Sequence, residues 1–215
     1  VLVENDCKVV AQQVLEDFGP CDILVNGAGG NSAKANTDKE FYEPGDIDDS
    51  TLQTFFTISP ENVSSVLELN FLGTLLPTQA FAKQMLGRPG CCIVNISSMN
   101  AFTPLTKIPA YSGAKAAVSN FTQWLAVHFS KEGIRVNAIA PGFFVSEQNA
   151  RLLYNEDGTP TARAQKILAG TPAGRMGRPE ELEGALLFLV NTEAAGFING
   201  IVLPVDGGFQ AYSGV

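Results

Sequence analysis

The stretch SSMNAFTPLTKIPAYSGAK, residues 97–115, holds a serine, a tyrosine and a lysine at a spacing that suits proton transfer. Tyr111 and Lys115 are four residues apart at the start of a helical pattern, so their side chains share one face. An ammonium about 4 Å from a phenol is worth about 4 kcal/mol at an effective dielectric near 20, which would lower the phenol pKa toward neutrality. Ser98 lies at the end of the preceding strand pattern, where its hydroxyl can bind the same substrate oxygen. These groups predict acid–base chemistry at a carbonyl or an alcohol, although a Tyr–Lys pair by itself is more often part of an ordinary amphipathic helix.

Strand patterns alternate with helical patterns along the chain, which predicts a parallel sheet covered by helices. Four short apolar runs read as buried strands: CDILVNGAGG, GCCIVNISS, IRVNAIAPG and GIVLPVDGG. Helices are predicted at about 6–18, 60–87, 111–131 and 178–190. Two polar insertions, 31–57 and 146–178, follow strands, where ligands bind in open α/β sheets, so both are candidate substrate lids.

Length, charge and composition limit the classes of function. A chain of 215 residues predicts one domain over 1–215, and its net charge of −8 with no Lys/Arg-rich run predicts no nucleic-acid or membrane partner. Apolar runs too short for a membrane span and the lack of a signal peptide pattern predict a cytoplasmic protein. Adjacent Cys91 and Cys92 are expected on opposite faces of a strand as small hydrophobes. His128 has no partner at ligand spacing, so no metal site is predicted.

Five ordered motifs resemble the short-chain dehydrogenase/reductase family of the classical type across nearly the whole chain. NGAGG follows the first strand pattern, with Gly27 where the family has a second asparagine, and LELNFLGT carries Asn70. NISS and YSGAK supply Ser98, Tyr111 and Lys115 in the family's spacing. The last two motifs are RVNAIAPG and NGIVLPVDGG, residues 135–142 and 199–208.

The resemblance implies a role for each matching residue. Tyr111 would be the catalytic acid and base, and Ser98 would position the substrate oxygen. Lys115 would lower the tyrosine pKa and bind the nicotinamide ribose. Asn70 would hold a water that links the lysine to solvent, or kink its helix and bond to backbone; the two roles are compatible. The residues implied to contact the cofactor, NAD or NADP, are Asn26, Ala28, Gly29, Tyr111, Lys115, Pro141, Gly142 and Ser146, the last of which stands where the family commonly has threonine.

One part of the family's pattern has no match in this sequence. The family begins with a strand, a TGxxxGxG phosphate loop and a helix, and Val1 corresponds to about the end of the third strand. The resemblance therefore implies a Rossmann-like doubly wound parallel sheet with helices on both faces, lacking its first β-α-β-α-β portion. The pyrophosphate-binding helix N-terminus and the acid that selects NAD over NADP belong to that portion. We expect such a chain to fold poorly alone or to associate strongly.

The segments VNGAGGN, PGFFVSEQNARLL and DGGFQAYSGV resemble the D-mannonate oxidoreductase/fructuronate reductase subgroup, which interconverts a keto sugar acid and its alcohol. Arg151 is the predicted partner of the substrate carboxylate, although each polar residue here also has an ordinary explanation as a loop or cap residue. The predicted substrate-binding residues are Asn31, Asn100, Gln148, Asn149 and Arg151.

Two alternatives remain open at the level of the sequence. One is a carbonyl reductase for another small molecule, such as a steroid, an acyl-carrier ketone or a plain sugar. The other is a non-catalytic scaffold that kept the fold and lost its dinucleotide half. The resemblance also implies a homodimer or homotetramer assembled through the helices predicted at 60–87 and 111–131.

Overall fold

The structure, a computed structural model, describes residues 1–146 and 150–214, and in them four strands form one parallel sheet. The strands lie side by side in chain order: β1 Ile23–Asn26, β2 Cys92–Ile96, β3 Arg135–Pro141 and β4 Val202–Val205. The register pairs Ile23 with Cys92, Cys92 with Arg135, and Ala138 with Val202. All four strands fall inside the apolar runs that predicted them, so the predicted parallel, helix-covered sheet is confirmed.

Helices connect and cover the strands. They are α1 Glu4–Phe18, α2 Pro60–Leu67, α3 Gly73–Phe81, α4 Pro109–His128, α5 Ala150–Leu153, α6 Ala162–Ala169, α7 Glu183–Val190 and α8 Thr192–Ala195. Pro60 and Pro109 each lie in the first turn of their helix, where the missing N–H has no helical partner to lose. Within the described residues, no helix combines the length and the apolar character needed to cross a bilayer.

The sheet has an apolar layer on each face, and the adjacent cysteines show how the chain divides between the layers. Cys91 packs with Met85, which follows α3 in the chain, and with Leu125 of α4, whereas Cys92 packs with Leu189 of α7. Both thiols are buried and free. The expectation that Cys91 and Cys92 lie on opposite faces is confirmed, because successive side chains of a strand alternate.

The segment 60–87 is not the single continuous helix that the sequence predicts. After α2 the chain makes a π-helical turn at Glu68–Leu72, continues as α3 and ends in a 3-10 turn at Ala82–Gln84. A π turn places one extra residue in a helical turn, and such turns are frequent at functional sites. Asn70 lies in the middle of this turn and is completely buried.

The two insertions contact each other. The first contains the 3-10 turn Ala33–Ala35, and the second contains α5 and α6. An ion pair between Glu40 of the first insertion and Lys166 of α6, 2.6 Å long, joins segments that are 126 residues apart.

Candidate active site

The residues predicted to do chemistry converge at one edge of the sheet. Asn26 ends β1, Pro141 ends β3, and Ser98 lies two residues after β2, so all three are at the carboxyl edge where α/β folds bind ligands. The chain then turns into α4, whose first two turns return Tyr111 and Lys115 to this edge. Residues from separate strand ends and one helix start therefore form a single cluster.

The Ser98 hydroxyl lies close enough to the Tyr111 phenol to influence its pKa. Ser98 is buried, and its Oγ accepts the Asn100 N–H at 3.3 Å, which closes the 3-10 turn Met99–Ala101. This capping bond fixes the serine hydroxyl relative to the end of β2. The phenol and the hydroxyl together can donate to one carbonyl oxygen.

Lys115 lies behind Tyr111, away from solvent. Its Nζ donates a 2.8 Å hydrogen bond to the Ile96 carbonyl and lies 5.7 Å from the centre of the Tyr111 ring. The side chain is almost entirely buried, and that burial lowers the pKa of Lys115 to about 8. The ammonium can still make two further hydrogen bonds, since it has three N–H groups and gives one to Ile96.

The expectation that Lys115 lowers the tyrosine pKa is wrong for this arrangement. Burial is the largest influence on Tyr111 and raises its pKa, while the hydrogen bond with Ser98 acts in the opposite, weaker sense. The lysine is itself desolvated and directs its N–H to the Ile96 carbonyl. Desolvation thus disfavours the charged form of both groups, and at neutral pH the phenol holds its proton.

Asn70 connects the π turn to the loop that follows β1. Its Nδ2 donates to the Val66 carbonyl at 2.8 Å and to the Gly30 carbonyl at 2.7 Å, and its Oδ1 accepts the Gly30 N–H at 3.2 Å. The backbone-bonding role predicted for Asn70 is therefore present. A Cβ on Gly29 would lie 2.6 Å from Asn70 Oδ1 and 2.9 Å from Lys115 Nζ, so only glycine fits between them.

The side chain of the asparagine at the end of β1 forms hydrogen bonds with other buried side chains. Asn26 Nδ2 donates to Thr78 Oγ1 of α3 at 2.9 Å and to Asn95 Oδ1 of β2 at 2.8 Å. Asn95 in turn donates to Thr122 Oγ1 of α4 at 2.9 Å. This buried polar chain was not predictable from the sequence, because its members come from four elements that only the fold brings together.

A cleft of about 300 Å³ opens beside the end of β3, and the residues predicted to bound a nicotinamide pocket line it. Pro141, Gly142 and Ser146 form one wall, and Arg163 of α6 contributes to another. A Cβ on Gly142 would lie 2.6 Å from the Cβ of Asp206, which shows how closely the turn after β3 approaches the turn after β4.

Three of the five predicted substrate residues lie in the described parts of the chain. Asn100 is buried two residues from Ser98, and its Oδ1 has no hydrogen-bond partner in the described chain. Asn31 is exposed and donates to Asn36 Oδ1 at 3.1 Å. Arg151 is exposed and lines neither the cleft beside β3 nor the cavity between the insertions. Gln148 and Asn149 lie outside the described residues.

Comparison with known proteins agrees with this geometry. A sequence profile of the family described as enoyl-(acyl carrier protein) reductase, one of the short-chain dehydrogenase profiles, matches residues 1–210. An uncharacterized oxidoreductase of Haemophilus influenzae is 63% identical over all 215 residues, which cover 75% of that protein. This chain belongs to the short-chain dehydrogenase/reductase family. It is thus an oxidoreductase that uses NAD or NADP, and its sheet is Rossmann-like.

Other members of the family carry more specific names. Gluconate 5-dehydrogenase of Gluconobacter oxydans is 36% identical over 96% of this chain and 72% of its own length. The crystal structure of a candidate D-mannonate oxidoreductase from Haemophilus, with NAD bound, superposes with a TM-score of 0.94 at 63% identity, covering 100% of this chain and 76% of that one. A gluconate 5-dehydrogenase from Burkholderia cenocepacia, in complex with NADP and tartrate, gives a TM-score of 0.79 at 27% identity, covering 98% and 73%.

Proposed function

We propose that this oxidoreductase interconverts a ketone and a secondary alcohol on a sugar acid of the D-mannonate/fructuronate type. The observation that carries the proposal is the convergence of Ser98, Tyr111 and Lys115 at the carboxyl edge of the sheet. Tyr111 gives its proton to the substrate oxygen during reduction and takes it back during oxidation. Its raised pKa suits the first role, because the phenol is protonated at neutral pH. Ser98 donates a second hydrogen bond to the same oxygen.

The residues at the ends of β1 and β3 fit a nicotinamide dinucleotide. When bound, NAD or NADP supplies or accepts the hydride. Lys115 retains two N–H donors for ribose hydroxyls. The small residues Ala28 and Gly29 let the backbone approach a ligand, and Pro141, Gly142 and Ser146 bound the nicotinamide side. The other proposed cofactor contact is Asn26. Asn70 anchors the loop and holds a water beside Lys115.

The choice of a sugar acid is supported by the relatives and by one buried acceptor. The relatives are named for gluconate and mannonate, which are polyhydroxylated acids. Asn100 Oδ1 is buried next to Ser98 without a partner, and a buried acceptor costs free energy unless a donor reaches it. A substrate hydroxyl beside the reacting carbonyl is such a donor.

The chain is also proposed to act as one domain in a homo-oligomer. An apolar groove of about 700 Å³ lies between α3 and α4, and Trp124 is exposed in it. Such an apolar surface is typical of a protein–protein contact.

The proposal is tested by following NADH and NADPH oxidation with D-fructuronate as the substrate. Tyr111→Phe removes the proton donor and is expected to lower kcat about 10²–10⁴-fold, whereas Tyr42→Phe, at an exposed tyrosine of the first insertion, is expected to leave it unchanged. Turnover of other ketones with none of any sugar acid would favour a reductase for another substrate class. Failure to turn over any ketone would favour the non-catalytic scaffold.

A further inference from the structure

A cavity of about 360 Å³ lies between the two insertions and the loop that precedes α4. It adjoins the cleft beside β3, since Phe143 and Arg163 line both. The first insertion contributes Glu40, the loop contributes Lys107, and α6 contributes Arg163 and Lys166. Charged residues from three separate segments thus surround a space next to the proposed nicotinamide pocket.

The cavity carries positive charge although the chain as a whole carries −8. Lys166 pairs with Glu40 at 2.6 Å, so these two charges largely offset each other. Lys107 contributes to the lowered pKa of Glu40 through its charge, but neither Lys107 nor Arg163 makes a side-chain hydrogen bond or a close ion pair within the described parts of the chain. Two cations therefore remain available to a ligand that enters from the cleft.

The backbone holds Lys107 in an unusual conformation. Its φ of 71° is the only positive φ of a non-glycine residue in the ranges that the structure describes. Its carbonyl accepts the Thr37 N–H at 2.8 Å, which ties this loop to the first insertion. A left-handed residue of this kind is strained and persists where the surroundings fix it, often at ligand sites. Lys107 is also four residues before Tyr111, so their Cα atoms are at most about 14 Å apart.

We infer that Arg163 and Lys107 bind the substrate's carboxylate in this cavity, while Ser98 and Tyr111 hold the reacting oxygen. The inference rests on the proposed function and replaces Arg151 as the carboxylate partner. A guanidinium matches a carboxylate with two parallel hydrogen bonds, and an ammonium adds a third donor. A keto acid whose carboxylate and carbonyl lie at opposite ends of a hexose chain would span from one site to the other.

Calorimetric titration of the NAD⁺-loaded protein tests this inference without turnover, since neither D-fructuronate nor D-fructose can be oxidised at its ketone. D-fructose is the matched neutral ligand, with a primary alcohol in place of the carboxylate. Arg163→Gln and Lys107→Met are each expected to raise the Kd for D-fructuronate about 10–100-fold. Both variants should leave the weaker binding of D-fructose unchanged.

Two further variants serve as controls. Arg151→Gln removes an exposed cation outside the cavity and is expected to leave both Kd values unchanged, and Arg163→Lys should retain most of the affinity for D-fructuronate. If Arg163→Gln and Lys107→Met lose equal affinity for both ligands, or if only Arg151→Gln loses affinity for D-fructuronate, the carboxylate site is overturned. The proposed function would remain intact in either case. Wild-type protein that binds neither ligand, or binds both equally, would overturn the carboxylate site as well; the Tyr111→Phe assay separately decides the proposed function.

Discussion

Lys115 has its charged end in the protein interior, one hydrogen bond from the Ile96 carbonyl and beside the Tyr111 ring. Removing an ammonium from water disfavours its charged form, and the pKa of about 8 expresses that cost. The phenol experiences the same desolvation, which raises its pKa. Both groups are therefore closer to neutral than their free counterparts, and a bound substrate oxygen meets a protonated donor.

The pH dependence of stability follows from this shift. An unfolded lysine keeps its proton to about pH 10.4, so above pH 8 the unfolded state binds a proton that the folded state has lost. Between pH 8 and pH 9.5, the unfolding free energy of the wild type should therefore rise by about 1.5 kcal/mol relative to that of Lys115→Met.

Urea unfolding of both proteins across this range measures the effect. The comparison uses a difference because the pKa values of half-buried Cys21 and of buried Cys91 and Cys92 are raised, which lowers the free energy of unfolding as the pH rises through the same range. Their contribution is common to both proteins and cancels. A difference that stays constant with pH would show that Lys115 titrates normally.

At the scale of elements, the π turn and the loop after β1 stabilise each other. Asn70 can reach Gly30 because the turn projects it out of the helical ladder, and its three hydrogen bonds then fix it in place. Lys115 is fixed in turn by Ile96. Gly29 lies against both fixed side-chain ends, so neither can move aside at low cost.

Gly29→Ala is expected to destabilise the protein by about 1–3 kcal/mol, because a Cβ would press on both side chains. Turnover should fall as well, since Lys115 would be displaced. Gly27→Ala is the matched control two residues away: a Cβ there meets no atom within 4 Å, so a change under about 0.5 kcal/mol is expected. Denaturant midpoints and steady-state kinetics of Gly29→Ala and Gly27→Ala measure these effects. Equal stability of the two variants would contradict the close contact at Gly29.

These elements also indicate what could be predicted from the sequence. The strands and the Ser98, Tyr111 and Lys115 set were predictable because local apolar runs and a fixed spacing encode them. The π turn was not, since it depends on the contact between Asn70 and Gly30, 40 residues apart. The cavity that Arg163 and Lys107 line was not predictable either, because only the tertiary fold brings α6 to the loop that carries Lys107. Sequence position favoured Arg151, which lies on the exposed side of α5.

At the scale of the whole molecule, the groove between α3 and α4 exposes a large apolar surface to solvent. Phe121, Trp124 and His128 form a stacked row along α4, with ring centres 6.2 and 4.5 Å apart. His128 is thus part of an aromatic row. Trp124 keeps 56% of its surface exposed and Val127 keeps 77%. Large rings that are already ordered by stacking lose little conformational entropy on association. Such rings are typical of the centre of an interface.

Trp124→Glu should therefore weaken self-association. A charge at the centre of a desolvated patch has no partner there, and losing a tryptophan anchor commonly costs more than 2 kcal/mol, so the dissociation constant should rise at least 30-fold. Sedimentation velocity over a concentration series measures the self-association, and circular dichroism establishes that the fold is kept.

Phe18→Glu is the control, because Phe18 is 85% exposed but lies outside the groove. A wild type that stays monomeric at all concentrations, or equal association in both variants, would contradict assembly through this face. If Trp124→Glu loses self-association and Phe18→Glu keeps it, the contact between subunits lies on α3 and α4, and the carboxyl edge of the sheet stays open to ligands.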